Sequence, residues 1–279
     1  AFVICLAGTS IAQESPLWMR HCALSPDGTT IAFTYKGDIY TVPSTGGRAT
    51  QITTNPAFDT EPVWSPDSKQ IAFASDRMGS LDVFVVSSEG GAPQRLTTHS
   101  GSEKPVAYKD NKHILFTANI APSAEDAGFP SGQFQQVYEV AVTGGRPAMF
   151  SSMPMECISI NKEGVMLYQD KKGYEDYWRK HQVSPIARDI WTYTPGKKPV
   201  YQKQTTFGGE DREPVWSPDG KSFYYLSEEK GSFNIFQRTP GTTTSQQITF
   251  HTKHPVRFLS ISTTGTLCYG YDGEIYTLT

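Results

Sequence analysis

The stretch "EPVWSPDSKQIAFASDR" (61–77) contains two apolar runs separated by a Ser-Pro-Asp turn. Proline presets φ at the second position of a type I turn, and the Asp side chain can bond the backbone that follows it. Apolar, β-branched and aromatic residues flank the turn on both sides. The stretch therefore predicts a β-hairpin.

The same hairpin recurs along the chain. Clear copies are "ALSPDGTTIAF" (23–33) and "VWSPDGKSFYY" (215–225), and weaker copies occupy 107–116, 159–168 and 260–269. Each copy ends in an aromatic residue. A polar, a β-branched and a second aromatic residue then follow every copy, as "DIY" (38–40), "DVF" (82–84), "QVY" (136–138), "DIW" (189–191), "NIF" (234–236) and "EIY" (274–276). Repetition of one motif along a chain indicates a repeat architecture.

Each unit has the composition of a small antiparallel sheet. A fourth strand is indicated by "ATQITT" (49–54), "PQRLTT" (93–98), "YQKQTT" (201–206) and "SQQITF" (245–250). Four strands repeated every ~40–57 residues are typical of a propeller blade. The sequence therefore predicts an all-β fold, a six-bladed β-propeller of four-stranded antiparallel blades. A β-sandwich is the alternative, but a sandwich has no reason to repeat one motif along the chain.

The predicted blades span about 17–53, 54–98, 99–152, 153–206, 207–250 and 251–279, within a propeller covering 13–279. The sixth unit reaches only "EIYTLT" (274–279), so we expect it to lack an outer strand of its own. That strand could come from residues downstream in a longer parent chain. Alternatively, "FVICLAG" (2–8) could supply it and close the ring.

The first twelve residues, "AFVICLAGTSIA" (1–12), are apolar and uncharged and end in small residues suited to signal peptidase. They predict the remnant of a signal peptide, and hence an exported bacterial protein that is periplasmic or secreted. No stretch approaches the roughly 20 apolar residues that span a bilayer. The cysteines at 5, 22, 157 and 268 lack metal-ligand spacing, so we expect buried free thiols at 157 and 268.

The net charge of −3 gives no basic field that would attract nucleic acid. The six histidines form no HExxH motif, and no GxSxG elbow or P-loop occurs. We therefore expect no catalytic residues, no metal and no cofactor in this chain. The Asp residues of the repeated Ser-Pro-Asp-Gly segments are interpreted as turn residues rather than as acid–base pairs.

The repeated hairpin resembles the propeller repeat of TolB and of the tricorn-type proteases. "GYEDYWRKHQVSPIARDIWTY" (173–193) and "SPDGTTIAFTYKGDIYTVPSTGG" (25–47) are similar to segments of bacterial tricorn-like serine peptidases. The resemblance extends from about residue 17 to the end of the chain. It implies an N-terminal propeller followed by further domains, including a PDZ module and a protease domain that carries the nucleophile. None of those domains is in this sequence, so their catalytic residues have no counterpart here.

Loop length indicates which rim of the propeller is functional. The segment between the two aromatic positions is longest in units three and four, at 116–138 and 168–191. It projects from the rim that also holds the blade-to-blade loops, and loops on a rigid scaffold often bind partners. The candidate binding residues of this rim are Glu61, Asp76, Arg77, Glu103, Arg179, Lys180, His181, Arg188, Arg212, Glu213 and His254. The alternative is that these residues form solvated loops with weak local ion pairs.

Three functions compete at this level. The first is a non-catalytic propeller of an exported tricorn-like peptidase that binds or gates peptides for a protease domain elsewhere in the parent. The second is a TolB-like periplasmic propeller that binds envelope proteins and has no protease domain. The third is a propeller enzyme such as a lactonase or a glycosidase. The segment 173–193 favours the first, with peptides, envelope proteins and further parent domains as the expected partners.

Overall fold

The computed structural model describes residues 18–120, 134–173, 181 and 183–279, and its regular elements are all β-strands. Blade 1 contains β1 (Arg20–Leu24), β2 (Thr30–Tyr35), β3 (Asp38–Pro43) and β4 (Thr50–Gln51). Blade 2 contains β5 (Asp59–Trp64), β6 (Gln70–Ser75), β7 (Asp82–Ser87) and β8 (Gln94–Arg95). Blade 3 contains β9 (Lys104–Asp110), β10 (His113–Ala118), β11 (Gln136–Ala141) and β12 (Ala148–Ser151).

Blade 4 contains β13 (Met155–Ile160), β14 (Met166–Asp170), β15 (Ile190–Thr194) and β16 (Val200–Lys203). Blade 5 contains β17 (Asp211–Trp216), β18 (Phe223–Ser227), β19 (Asn234–Arg238) and β20 (Ser245–Gln247). Blade 6 contains only β21 (Arg257–Ile261), β22 (Leu267–Tyr271) and β23 (Glu274–Leu278). Each blade is an antiparallel sheet whose strands follow chain order. The expected three-stranded last blade is therefore present.

The first strands of the six blades form a closed ring. β1 contacts β5, β5 contacts β9, β9 contacts β13, β13 contacts β17, β17 contacts β21, and β21 contacts β1. Two packed layers would not produce such a cyclic order. The prediction of a six-bladed β-propeller is confirmed, and the sandwich alternative is wrong.

The two aromatic positions of each unit are direct cross-strand partners on the second and third strands. The pairs are Phe33 with Tyr40, Phe73 with Phe84, Phe116 with Tyr138, Tyr168 with Trp191, Tyr225 with Phe236, and Tyr269 with Tyr276. The rings of Phe73 and Phe84 stack with centroids 5.9 Å apart. Aromatic pairs in this arrangement stabilise a sheet beyond the area they bury. The repeated aromatic positions in the sequence therefore correspond to a repeated cross-strand contact in the structure.

The Thr-Thr end of the fourth strand has a structural role. The Thr53 hydroxyl accepts the buried backbone N–H of Ile39 at 2.9 Å and donates to Asp38 at 3.2 Å. Equivalent threonine hydroxyls accept the corresponding N–H groups in blades 2, 4 and 5. These bonds connect the start of the third strand to the segment that follows the fourth, outermost strand.

We expect Thr53→Val to destabilise the protein by about 1–3 kcal/mol, because the Ile39 N–H would stay buried without an acceptor. Thr54→Val is the matched control, since Thr54 is exposed and adjacent. Its effect should lie within about 0.5 kcal/mol. Urea unfolding of both variants measures the difference, and equal midpoints would disprove the role of the buried hydroxyl.

Candidate functional site

The alternating strand directions give the propeller two different rims. The loops between second and third strands and the blade-to-blade connections form one rim, which we call the insertion rim. The Ser-Pro-Asp-Gly turns lie on the other, the turn rim. All candidate binding residues that the structure describes lie on the insertion rim or within the first three residues of the inner strands below it.

A β-bulge shapes the inner strand of each blade just below the insertion rim. The register of five inner strands shifts there, at residues with positive φ: His21, Glu61, Cys157, Glu213 and Phe258. Blade 3 has Pro105 at this position, and the proline ring excludes positive φ. Bulges re-aim side chains. At the boundary of blades 1 and 6 the two bulge residues make contact, since the rings of His21 and Phe258 have centroids 4.7 Å apart.

A buried ionic network joins blades 4 and 5. The Arg188 guanidinium donates to Glu156 at 3.1 Å and lies 3.5 Å from Glu210, which also accepts from Arg212 at 2.9 Å. Burial opposes ionisation, yet Glu156 and Glu210 raise the pKa of Arg188. Burial likewise acts against the Glu156 carboxylate, but Arg188 and Lys171 lower its pKa. Arg188 and Glu156 are therefore both charged at neutral pH.

The long loop of blade 4 is held against blade 5. The His181 N–H donates to the Glu228 carboxylate at 2.6 Å, and the Ser184 N–H donates to the Gly208 carbonyl at 3.2 Å. Glu228 is buried although it is acidic, with only 3% of its side chain exposed. Within the loop, Lys172 binds the Asp189 carboxylate. His181 and Ser184 of the described loop are thereby held against blade 5.

Each candidate residue of blade 2 has a partner within the protein. Arg77 donates from Nη2 to both carboxylate oxygens of Asp59, at 3.0 and 2.9 Å, and its guanidinium lies over the Phe84 ring at 4.5 Å. Asp76 accepts the Phe58 N–H at 2.7 Å. Glu61 binds Lys104 of blade 3 at 2.6 Å, across the blade boundary.

The other candidates differ in accessibility. Glu103 is buried and accepts the His99 N–H at 3.2 Å, while the buried Glu213 accepts the Leu259 N–H at 2.8 Å. His254 is exposed and lies 3.3 Å from Asp272. His254 also lines an apolar pocket of about 300 Å³ at the junction of blades 6 and 1.

The described candidate residues lie at the insertion rim, but several of them are buried. Arg179 and Lys180 lie outside the described residues, as does the predicted signal remnant at 1–12. Glu156, Glu210 and Glu228 complete the networks but were not among the candidates. Aligning the units on the bulge would have shown Glu156 beside Cys157 in the frame of Arg212 and Glu213. Cys157 is partly exposed on the inner strand rather than buried, because the bulge turns it out of the blade core.

Exposed large apolar side chains are unevenly distributed between the rims. Trp18, Phe58, Met78, Met153, Val183 and Phe250 are all exposed on the insertion rim, with Val183 at 75% and Phe250 at 73%. In the described ranges the turn-rim loops carry no exposed large apolar side chain. The remaining examples lie on strands at the outer edges of blades, such as Val200 and Tyr201. Single exposed apolar residues are ordinary, but this segregation to one face is not.

In the part of the chain that the structure describes, no group of three or more His, Cys, Asp or Glu residues is placed to hold a metal ion. No helix with the length and apolar character needed to cross a bilayer occurs among the described residues.

The closed ring of six antiparallel blades, with long loops on one rim, places the chain in the class of six-bladed β-propellers. The family model described as the tricorn protease N-terminal beta propeller domain matches residues 16–279. The chain belongs to this family.

Relatives of known sequence agree with this assignment. The tricorn protease homolog 1 of Streptomyces coelicolor is 24% identical over 260 residues, covering 91% of this chain and 23% of the relative. An uncharacterized protein of Agrobacterium fabrum is 34% identical over 218 residues, covering 73% of this chain and 68% of that protein. The chain thus spans under a quarter of the Streptomyces relative.

Solved structures share the fold. The crystal structure of the tricorn protease superimposes with a TM-score of 0.78 at 17% identity, over 95% of this chain and 25% of that one. TolB from Acinetobacter baumannii gives a TM-score of 0.64 at 14% identity, over 90% of this chain and 66% of that one. At these identities the likeness concerns the fold alone.

Proposed function

We propose that this propeller is the non-catalytic module of an exported tricorn-like peptidase, and that its insertion rim binds or gates peptides or partner proteins for a protease domain outside this chain. The segregation of exposed apolar side chains to that rim carries the proposal, because binding faces combine apolar anchors with a polar surround. Family membership supports it. The ionic networks support it as well, since they hold the rim loops on a rigid base.

The site residues divide into two roles under this proposal. Arg77, Glu103, Arg188, Arg212 and Glu213 are buried or nearly so, and they position the rim. Glu61, Asp76, His181 and His254 are accessible, and they supply the polar contacts to the partner, together with Arg179 and Lys180. Replacing a residue of the first group should lower stability, whereas replacing one of the second should change binding.

Hydrolysis by the isolated chain is the first measurement. We expect the purified 279-residue chain to cleave no peptide of a mixed-sequence library, because the Ser–Asp contacts of the described residues, such as Ser65–Asp67 at 2.7 Å, belong to turns that also bind the Lys69 N–H. Cleavage that survives repeated purification and an inhibitor control would overturn the proposal of a non-catalytic module.

The rim is tested in the parent protein. We expect Val183→Ser with Phe250→Ser to lower the parent's peptide hydrolysis about 5- to 30-fold, the effect of losing 1–2 kcal/mol of contact energy. Val200→Ser with Tyr201→Ser is the matched control, because these side chains are exposed on an outer strand. Equal hydrolysis by both variants would contradict the rim's role. Replacing Arg179, Lys180 and His181 with Ala should likewise alter processing without unfolding the propeller.

The TolB-like alternative predicts a different outcome of the same experiments. An interaction propeller without a protease domain would bind envelope proteins through the rim, and no peptide hydrolysis would accompany any form of the parent. Periplasmic or secreted localisation is part of both proposals. Cell fractionation with the native N-terminus measures it, and a cytosolic product would contradict export.

A further inference from the structure

The ring of this propeller closes without an exchanged strand among the described residues. β1 belongs to blade 1 and β21–β23 to blade 6, and no sheet combines strands from both ends of the described chain. Closure depends on contacts across the seam between these blades. The Leu24 N–H donates to the Ser260 hydroxyl at 3.0 Å, and the Thr263 N–H donates to the Pro26 carbonyl at 2.8 Å.

Two buried cysteines lie in that seam. Cys22 on β1 and Cys268 on β22 belong to one hydrophobic cluster, and they are 4% and 0% exposed. The Cys22 thiol donates to the Phe258 carbonyl at 3.5 Å, and Cys268 is the cross-strand partner of Ser260. Both thiols therefore lie beside the same short segment of β21. A side-chain hydrogen bond with Cys268 is the largest cause of the raised pKa of Cys22, and burial adds to it.

We propose that Cys22 and Cys268 form a disulfide that closes the propeller ring covalently when the chain folds in an oxidising compartment. Nearly the whole described chain lies between the two residues, so the bond would restrict the unfolded chain strongly. Its position is specific: it joins the innermost strand of the first blade to the middle strand of the last. Among the described residues, no other two neighbouring blades each contain a cysteine.

The chemistry requires a disulfide-bearing oxidant, such as an oxidised protein dithiol or oxidised glutathione. One cysteine thiolate attacks the oxidant's disulfide, which releases one thiol and leaves a mixed disulfide. The second thiolate then displaces the remaining thiol, which yields the Cys22–Cys268 bond. The oxidant gains the two electrons that the two cysteines lose, and the two cysteine protons end on the released thiols.

Burial determines when this exchange occurs. The native thiols are out of reach of solvent, and the raised pKa of Cys22 disfavours the thiolate that reacts. Exchange therefore takes place while the seam is still open during folding. Once formed, the disulfide is buried and a reductant cannot reach it until the ring opens.

Cys157 provides an internal comparison. It lies on the inner strand of blade 4, outside the cluster that contains Cys22 and Cys268. Desolvation is the largest cause of the raised pKa of Cys157, although the residue is partly exposed, and the charge of Glu213 comes next. Cys157 should remain a free thiol under conditions that oxidise the pair.

The test is refolding of the full chain in a buffer of reduced and oxidised glutathione. Alkylation in denaturant and peptide mass spectrometry should show Cys22 linked to Cys268 and Cys157 alkylated. The oxidised protein should melt ~5–10 °C above the reduced protein. Cys157→Ser should keep this difference. Cys22→Ala with Cys268→Ala should fold, melt near the reduced protein and show no dependence on oxidant.

Three results would overturn the proposal: both thiols remaining open to alkylation after refolding, a linkage that includes Cys157 or Cys5, or an oxidised form that melts below the reduced form. The outcome is independent of peptide binding at the insertion rim. The disulfide proposal and the proposed function can therefore fail separately.

Discussion

Asp59→Asn is expected to destabilise the propeller by about 3–5 kcal/mol, because it removes one partner of a buried ion pair. Asp59 is fully buried, and its carboxylate is bidentate with Arg77, whose side chain is only 11% exposed. The Asn amide keeps the shape but leaves the guanidinium charge uncompensated. Thermal and urea unfolding of the variant measure the loss.

A double variant separates the charge effect from a packing effect. Asp59→Asn combined with Arg77→Met removes both charges and should recover much of the lost stability. Arg77 also lies over Phe84, so a methionine retains part of the apolar contact. A single variant that costs less than about 1 kcal/mol would mean that the pair is solvated rather than buried.

Asp211→Asn, by contrast, is expected to stabilise the propeller at neutral and alkaline pH. Asp211 occupies the position of Asp59 in blade 5, since Asp211 pairs with Ser227 as Asp59 pairs with Ser75. Two residues after Ser227, blade 5 has Glu229, whereas blade 2 has Arg77 two residues after Ser75. Among the described residues neither carboxyl oxygen of Asp211 has a well-aligned hydrogen-bond partner.

Burial raises the pKa of Asp211 from 3.8 to about 7, and the charges of Asp189 and Glu229 add to the rise, although nearby Ser227 and Thr205 hydroxyls oppose it. A raised carboxyl pKa means that the folded protein binds a proton that the unfolded chain releases above pH 3.8. The stabilisation is thus fully present below pH 3.8 and is lost as the pH rises to about 7.

The Asn variant mimics the protonated carboxyl at every pH. It should match the natural protein near pH 4 and be more stable well above pH 7 by roughly 4 kcal/mol, the equivalent of this pKa shift. Unfolding midpoints of both proteins between pH 4 and 9 measure the difference. Parallel curves would show that Asp211 does not titrate in this range, and a variant less stable at pH 8 would contradict the burial argument.

The two aspartates show why the site was harder to predict than the fold. Both stand in the same repeat position, and the sequence shows that one has Arg two residues after its cross-strand serine and the other Glu. Only in the folded blade does the side chain two residues after the serine lie near the aspartate. Similarly, Arg188 and Glu210 were visible as charged residues, but their contact with each other crosses the boundary between blades 4 and 5.

Which residues of the rim are exposed could not be predicted from the sequence either. Arg188, Arg212 and Glu213 are charged residues in loop-like or strand-start segments, where exposure is the usual expectation. The structure buries them, because each has a partner of opposite charge or a backbone N–H supplied by the next blade. The exposed apolar residues Val183 and Phe250, by contrast, carry no local pattern that sets them apart.

The sequence alone determined the blade: turn residues, alternating apolar positions and the paired aromatics are local features, and they specify strands and their pairing through contacts a few residues apart. It also determined the number of blades. Only the tertiary structure decided which side of each inner strand faces the channel, which charges meet and which thiols lie together at the seam. These depend on a one-residue bulge and on the docking of neighbouring blades, and contacts between distant segments are set by packing rather than by local sequence.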